Sequence, residues 1–186
     1  MTSSERSRGF VTSYTPTKGK GWLSSKSSRS TITTSLYTVQ YAECFKWRVI
    51  PTQEEYEEIG RNIIEDPWFC NKKTDVTCED PADIDYDASR IWVMDKPNLP
   101  KTPNGFKKKV VVRSDFSTCD IYYDVPTGKR VRSLSEMQRF LNNNPKYKSM
   151  VEISDFDFTR PKIMAYTVAV YAEEDASSAS KKLKTC

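Results

Sequence analysis

The chain has 186 residues, 37% of them hydrophobic and 29% charged, with a formal net charge of +4 and no histidine. That length allows one ordinary domain or two very small ones. Without an imidazole there is no Ser-His-Asp triad, Cys-His dyad or histidine-ligated metal, so a non-enzymatic protein is expected.

No apolar run nears the ~20 residues that span a bilayer, and the N-terminus lacks the apolar core of a signal peptide. A soluble chain not exported by that route is therefore expected. Five cysteines are an odd number for a disulfide framework, and a reducing compartment leaves them as thiols for metal binding or burial.

Charge falls in blocks. Residues 1–35 carry +5, residues 36–96 carry −7, residues 97–163 carry +6, and residues 164–186 balance. The basic blocks suit a polyanion, and the acidic one suits a basic partner or a solvated face. Residues 1–35 are rich in Ser and Thr with little to bury, which predicts disorder. Residues 164–186 read as a mostly disordered tail, with one short element possible at Tyr166–Tyr171. Two aromatic-rich blocks, 36–92 and 104–163, are joined by a proline-rich linker over 93–103.

In the first block, Leu36 to Ile50 alternates as strands do. Pro51 then precedes an acidic helical run from Glu54 to Glu65, with Tyr56, Ile59 and Ile63 on one stripe. So small a block rarely folds on its own core, and Cys44, Cys70 and Cys78 are the candidates to staple it through zinc.

The stretches Val39-Gln40-Tyr41-Ala42-Glu43-Cys44-Phe45-Lys46-Trp47-Arg48, Pro67-Trp68-Phe69-Cys70 and Cys78-Glu79-Asp80-Pro81 resemble the CW-type zinc finger over about 50 residues. The resemblance places Cys44, Cys70 and Cys78 on three of four zinc ligands, with Tyr41 where the first cysteine stands. A phenol, with a pKa of about 10, is a poor zinc ligand at neutral pH. The site then holds zinc through three thiolates plus water or a neighbouring acid, or holds none; a weakened zinc site is the expectation. The family grips a methylated lysine of a histone tail in an aromatic cage. Trp47 matches one wall, Thr38 stands where the other should be, and core packing of Trp47 is an equal alternative.

In the second block, Lys107–Arg113 reads as a strand with Lys107, Lys109, Val111 and Arg113 on one face. Cys119–Asp124 reads as another, with Asp120 and Tyr122 on one face and Ile121 and Tyr123 on the other. Pro126-Thr127-Gly128 is a turn signal. Ser133 to Glu136 is a capping box opening a helix, with Leu134, Met137 and Leu141 as its apolar stripe.

Gly105-Phe106-Lys107, Val112-Arg113, Asp120-Ile121-Tyr122-Tyr123, Pro126-Thr127-Gly128-Lys129, Arg132-Ser133 and Phe156-Asp157-Phe158 resemble the methyl-CpG-binding domain over about 60 residues. A CW finger ahead of such a domain resembles a plant subgroup. The resemblance implies that Arg113 and Arg132 reach the guanines of a CpG step, that Asp120 orients Arg113, and that Tyr122 meets the methylcytosine. Lys107, Lys109, Lys129 and Arg130 suit phosphates.

The family's loop after the first arginine is longer, basic and glycine-rich. Here Ser114–Cys119 has no Lys or Arg and carries Asp115. DNA binding with weak or no methylation selectivity is therefore expected.

The fold class expected is α+β: two small domains, a zinc-stapled CW-like module and then an antiparallel sheet with one helix, between disordered termini. The function expected is that of a nuclear DNA-binding regulator of transcription in chromatin. The alternative is a module that docks histone tails or chromatin-associated proteins and touches DNA incidentally.

Overall fold

A computed structural model describes residues 36–168 throughout, together with the backbone of two short strands upstream, Phe10–Tyr14 and Ile32–Thr33. Both helices and antiparallel sheets are present, as the α+β reading requires. In chain order the strands are β1 (Phe10–Tyr14), β2 (Ile32–Thr33), β3 (Leu36–Gln40) and β4 (Trp47–Ile50), followed by helix α1 (Gln53–Asn62). Then come β5 (Ile91–Met94), β6 (Lys107–Val112), β7 (Cys119–Asp124), β8 (Arg130–Val131), helices α2 (Leu134–Asn143) and α3 (Pro145–Lys148), and β9 (Lys162–Ile163). One sheet runs β4-β3-β1-β5-β9 and the other β2-β6-β7-β8.

This topology departs from two beads on a string. Strand β1 lies between β3 and β5, pairing Thr12 with Tyr37 on one side and with Val93 on the other. Strand β2 pairs with β6 through Ile32 and Val112. Within residues 1–35, where disorder is expected, the structure describes these two short strands, and the rest of that segment lies outside the described residues. Composition predicted no element there; the backbone of each strand pairs with a partner distant in sequence.

The linker expectation is also corrected. Val93 and Met94 belong to β5, and the prolines beyond run along α1. The Asn98 N–H donates to the Gly60 carbonyl at 2.9 Å. The Glu57 carboxylate accepts from the Thr102 N–H at 2.7 Å and from its hydroxyl at 2.9 Å, and the Tyr56 hydroxyl donates to Asp95 at 2.7 Å. A segment with that many partners is packed structure. Proline spacing predicted an extended backbone, which a turn at Pro97–Asn98 with Asn98 at φ +59° interrupts, and it could not show what the segment lies against.

Past β9, helical backbone resumes at residues 165–168, where Thr167 is buried and its hydroxyl accepts from the Trp92 N–H at 3.2 Å. The expected tail beyond residue 168 lies outside the described residues.

Helices α1 and α2 start where their caps dictate. Thr52 accepts from the Glu55 N–H to open α1, with Glu54 and Glu55 in the first turn where the helix dipole favours acids. Tyr56 and Ile63 are buried as the stripe predicts, against Val39, Tyr41, Ile50, Trp68 and Cys70. In α2, Ser133 accepts from the Glu136 N–H at 3.2 Å. The buried stripe is Met137, Phe140 and Leu141; Leu134, expected inside, is half exposed because it opens the first turn on the outer side. That stripe closes on Phe106, Ile121, Tyr123, Val125, Val131 and Phe156.

Candidate nucleic-acid interface and zinc site

Antiparallel pairing of β6 with β7 sets Lys107 opposite Asp124, Lys109 opposite Tyr122 and Val111 opposite Asp120. Alternate residues share a face, so the charged set emerges on one side while Ile121 and Tyr123 enter the core. Arg113 follows β6 directly. Its Nε lies 2.9 Å from Asp120 Oδ2 and its Nη2 2.8 Å from Oδ1, so both carboxylate oxygens hold one guanidinium fork. The pair shifts each partner as opposite charges should: Arg113 holds the Asp120 carboxyl below its ordinary value, and Asp120 raises Arg113.

Arg132 leaves β8 just before α2. Its guanidinium carbon sits 5.7 Å from the centre of the Tyr122 ring, with that of Arg130 at 5.2 Å. The Glu136 carboxylate accepts from the Arg132 N–H at 2.9 Å. In the expected capping box it would have taken the Ser133 N–H; shifted by one residue, it anchors the backbone that carries Arg132.

Asp124 joins Lys109 at 2.5 Å and Arg130 at 2.9 Å, and these two cations hold its carboxyl low. Lys107 and Lys129 are exposed. The turn before β8 closes with the Gly128 N–H donating to Val125 at φ +81°, a conformation glycine adopts without strain.

One residue that sequence reasoning missed lines the same cleft. Arg160 joins Arg113, Asp120, Ile121, Tyr122, Phe158 and Arg132 there, with Nη2 3.7 Å from Asp120 Oδ1. Its position two residues after the closing Phe156-Asp157-Phe158 was the available signal.

The loop after Arg113 is a tight closed turn. The Arg113 N–H donates to Thr118, the Phe116 N–H donates to Arg113, and Asp115 accepts from the Ser117 N–H and hydroxyl. Phe116 holds φ +55° while its ring packs against the cluster of Ile91, Val93, Val112 and Cys119. Such a loop is ordered by its own contacts.

In the first module the Sγ atoms of Cys44, Cys70 and Cys78 lie within 4.8 Å of one another, Cys70 being 3.5 Å from Cys44 and 2.9 Å from Cys78. Tetrahedral zinc with Zn–S of ~2.3 Å holds its sulfurs about 3.8 Å apart, so Cys44 and Cys70 stand near the required spacing and Cys78 must draw back from Cys70 to admit the ion. Tyr41, fully buried, turns its hydroxyl into the protein with no hydrogen-bond partner among the described residues. Burial pushes that phenol up to about 12, with the Cys70 and Cys44 thiols adding to the rise, so it stays protonated at neutral pH. The donor set fits a zinc bound by three thiolates.

A second staple was not foreseen. Arg48 is 1% exposed and binds Asp83 at 2.8 Å, the Thr77 and Asp80 carbonyls at 3.2 Å each, and the Pro81 carbonyl. It ties the segment after Cys78 to β4.

Trp47 packs against Tyr86 with ring centres 5.8 Å apart and against the buried Trp92 at 5.9 Å. The cage position taken by Thr38 is fully buried.

Residues 92–166 match the family model of the methyl-CpG binding domain, and residues 37–84 match that of the CW-type zinc finger. Methyl-CpG-binding domain-containing protein 4 of Arabidopsis thaliana is 53% identical over 132 residues, covering 71% of this chain and 70% of that protein. Methyl-CpG-binding domain-containing protein 1 of the same plant is 49% identical, over 72% of this chain and 65% of its own length. Methyl-CpG-binding domain protein 2 of Homo sapiens is 37% identical over 70 residues, 36% of this chain and 16% of that protein. No solved structure matches the chain.

Proposed function

The chain belongs to the methyl-CpG-binding-domain proteins, and from that premise we propose that it is a nuclear, non-enzymatic chromatin protein that binds double-stranded DNA at CpG steps and regulates transcription. The observation that carries this reading is the Arg113 fork, gripped by both oxygens of Asp120 beside an Arg132 laid against Tyr122. A guanidinium fork matches guanine O6 and N7 in the major groove. An arginine held in place before binding loses less side-chain entropy on contact.

Lys107 and Lys129 take phosphates and so set register. Lys109 and Arg130 do the same after giving up part of their hold on Asp124. Because the loop after Arg113 is closed on itself and carries Asp115, cytosine methylation changes affinity by less than about tenfold, or ~1.4 kcal/mol.

Cys44, Cys70 and Cys78 would hold a zinc ion, which when bound supplies a cross-link between the turn after β3 and the segment from Cys70 to Cys78.

Binding to CpG duplexes and to CpG-free duplexes at two salt concentrations tests this. Arg113→Ala or Arg132→Ala costs about 1–3 kcal/mol on CpG and flattens sequence preference. Lys107→Ala weakens all sequences alike and reduces the salt slope by about one. If none of these changes matters, the reading gives way to docking of a histone tail or chromatin protein. What would then carry the function is the aromatic group of Trp47, Tyr86 and Trp92.

A further inference from the structure

We infer that Arg160 is a backbone-phosphate contact, gripping the duplex on the flank of the Arg113–Asp120 pair away from the lysines. The inference rests on the DNA-binding reading above. Two adjoining clefts cover the candidate interface and share Arg132. One contains Lys107, Lys109 and Arg130; the other contains Arg113, Asp120, Tyr122 and Arg160. Cations on the first cleft neutralise phosphates on one side of the reading arginines only. On the other side the loop Ser114–Thr118 offers no cation and carries Asp115. Arg160 supplies the positive charge there.

Its side chain suits a phosphate better than a base edge. Arg113 already occupies both oxygens of Asp120 at hydrogen-bond distance, leaving Arg160 at 3.7 Å, where charge attracts but no hydrogen bond fixes the fork. The side chain is 56% exposed, and among the described residues its guanidinium makes no hydrogen bond. A base reader gains from being fixed before contact, as Arg113 is; a phosphate contact needs charge and reach.

The backbone beneath it is nevertheless anchored. Upstream, the Thr159 N–H donates to Asp157 Oδ1 at 2.6 Å, and Phe158 packs edge-on against Tyr123 at 5.0 Å. Downstream, Pro161 is buried and β9 pairs with β5. Arg160 is thus an exposed side chain, held by no hydrogen bond among the described residues, on an anchored stem.

The test uses the full chain and fluorescein-labelled duplexes with one central CpG or with none, titrated between about 50 and 200 mM salt. In Arg160→Ala, affinity should fall on both duplexes alike. Losing one phosphate contact should shrink the drop in affinity across that salt range by about 3.5-fold. Arg160→Lys, which keeps the charge, should retain the slope of the unaltered protein. If Arg160→Ala flattens CpG preference and Arg160→Lys fails to restore it, Arg160 reads a base and the inference is overturned. An Arg160→Ala protein indistinguishable from the parent on both duplexes overturns it equally. Arg113→Ala on the same panel separates the two readings. If it abolishes CpG preference while Arg160→Ala does nothing, only the inference fails; if Arg113→Ala is also silent, the DNA-reading function fails with it.

Discussion

Residues 36–84 bury an arginine and gather three thiols, whereas residues 104–158 bury Phe106, Tyr123, Met137 and Phe156 around a capped helix. The first module must hold a long irregular segment, from Cys70 to Asp83, that contributes no strand and no α-helix. Carbonyls in such a segment have no ladder to satisfy them. Arg48 collects three of them and adds a carboxylate, a polar clamp beside the apolar cluster of Val39, Ile50, Tyr56 and Trp68 that the module also buries. A region that needs buried polar groups as well as an apolar cluster spends more of its chemistry on folding. A region held by an apolar core leaves its charged residues free for the surface, and that is where the candidate DNA-reading set lies.

The contrast can be broken most visibly at the thiols. Structural zinc is worth an apparent ~10–16 kcal/mol of binding when four ligands close around it. Tyr41→Cys should therefore turn a zinc that a chelator strips easily into one that resists it, and raise the melting temperature. Native mass spectrometry with and without chelator reads the zinc and thermal unfolding reads the stability, and a chelator-resistant zinc in the unaltered protein would refute the three-thiolate site.

Next in size is the buried ion pair. Asp83→Ala leaves Arg48 charged, buried and short of its carboxylate, a loss of about 3–5 kcal/mol in chemical unfolding. The same pair gives a pH signature. Burial pushes the Asp83 carboxyl up, but the hydrogen bonds from Arg48 and the Val49 N–H, with Lys73 nearby, bring it below its ordinary value. A carboxyl lowered by folding contributes stability that is complete above the unfolded value of about 3.9 and is lost as pH falls through the folded one. Asp83→Ala should thus flatten that part of the acid stability profile, and a profile unchanged from the parent's would show the pair to be inert.

The second module answers to volume instead. Met137, 0% exposed, has no polar role, and Met137→Ala should cost about 2–5 kcal/mol with no dependence on zinc. Since β1 and the clamped segment Asp95–Thr102 join the two modules, one shared unfolding transition is expected for both variants. Two separate transitions would mean that the modules fold independently.

Much of this was legible in the residues. Strands β6 and β7, the turn at Gly128, the cap at Ser133 and the segregation of Asp120 and Tyr122 from Ile121 and Tyr123 follow from local chemistry. A period of two, a fixed φ and a side-chain cap each act within a few residues. The pairing of Arg113 with Asp120 was available through family resemblance, and the grouping of three cysteines through their motifs.

What tertiary structure alone decided is long-range pairing. Composition could not reveal that Phe10–Tyr14 sits inside a sheet, because a strand's partner lies on a distant piece of chain. Nor could it show that the proline-rich stretch lies along α1, that Arg48 collects carbonyls 29 to 33 residues away, or that Arg160 reaches the cleft of Arg113. Local residue chemistry sets the backbone's preferences within a turn or a strand. Which surfaces meet is settled only when the whole chain has closed, since burial and hydrogen bonding are satisfied by neighbours in space rather than in sequence.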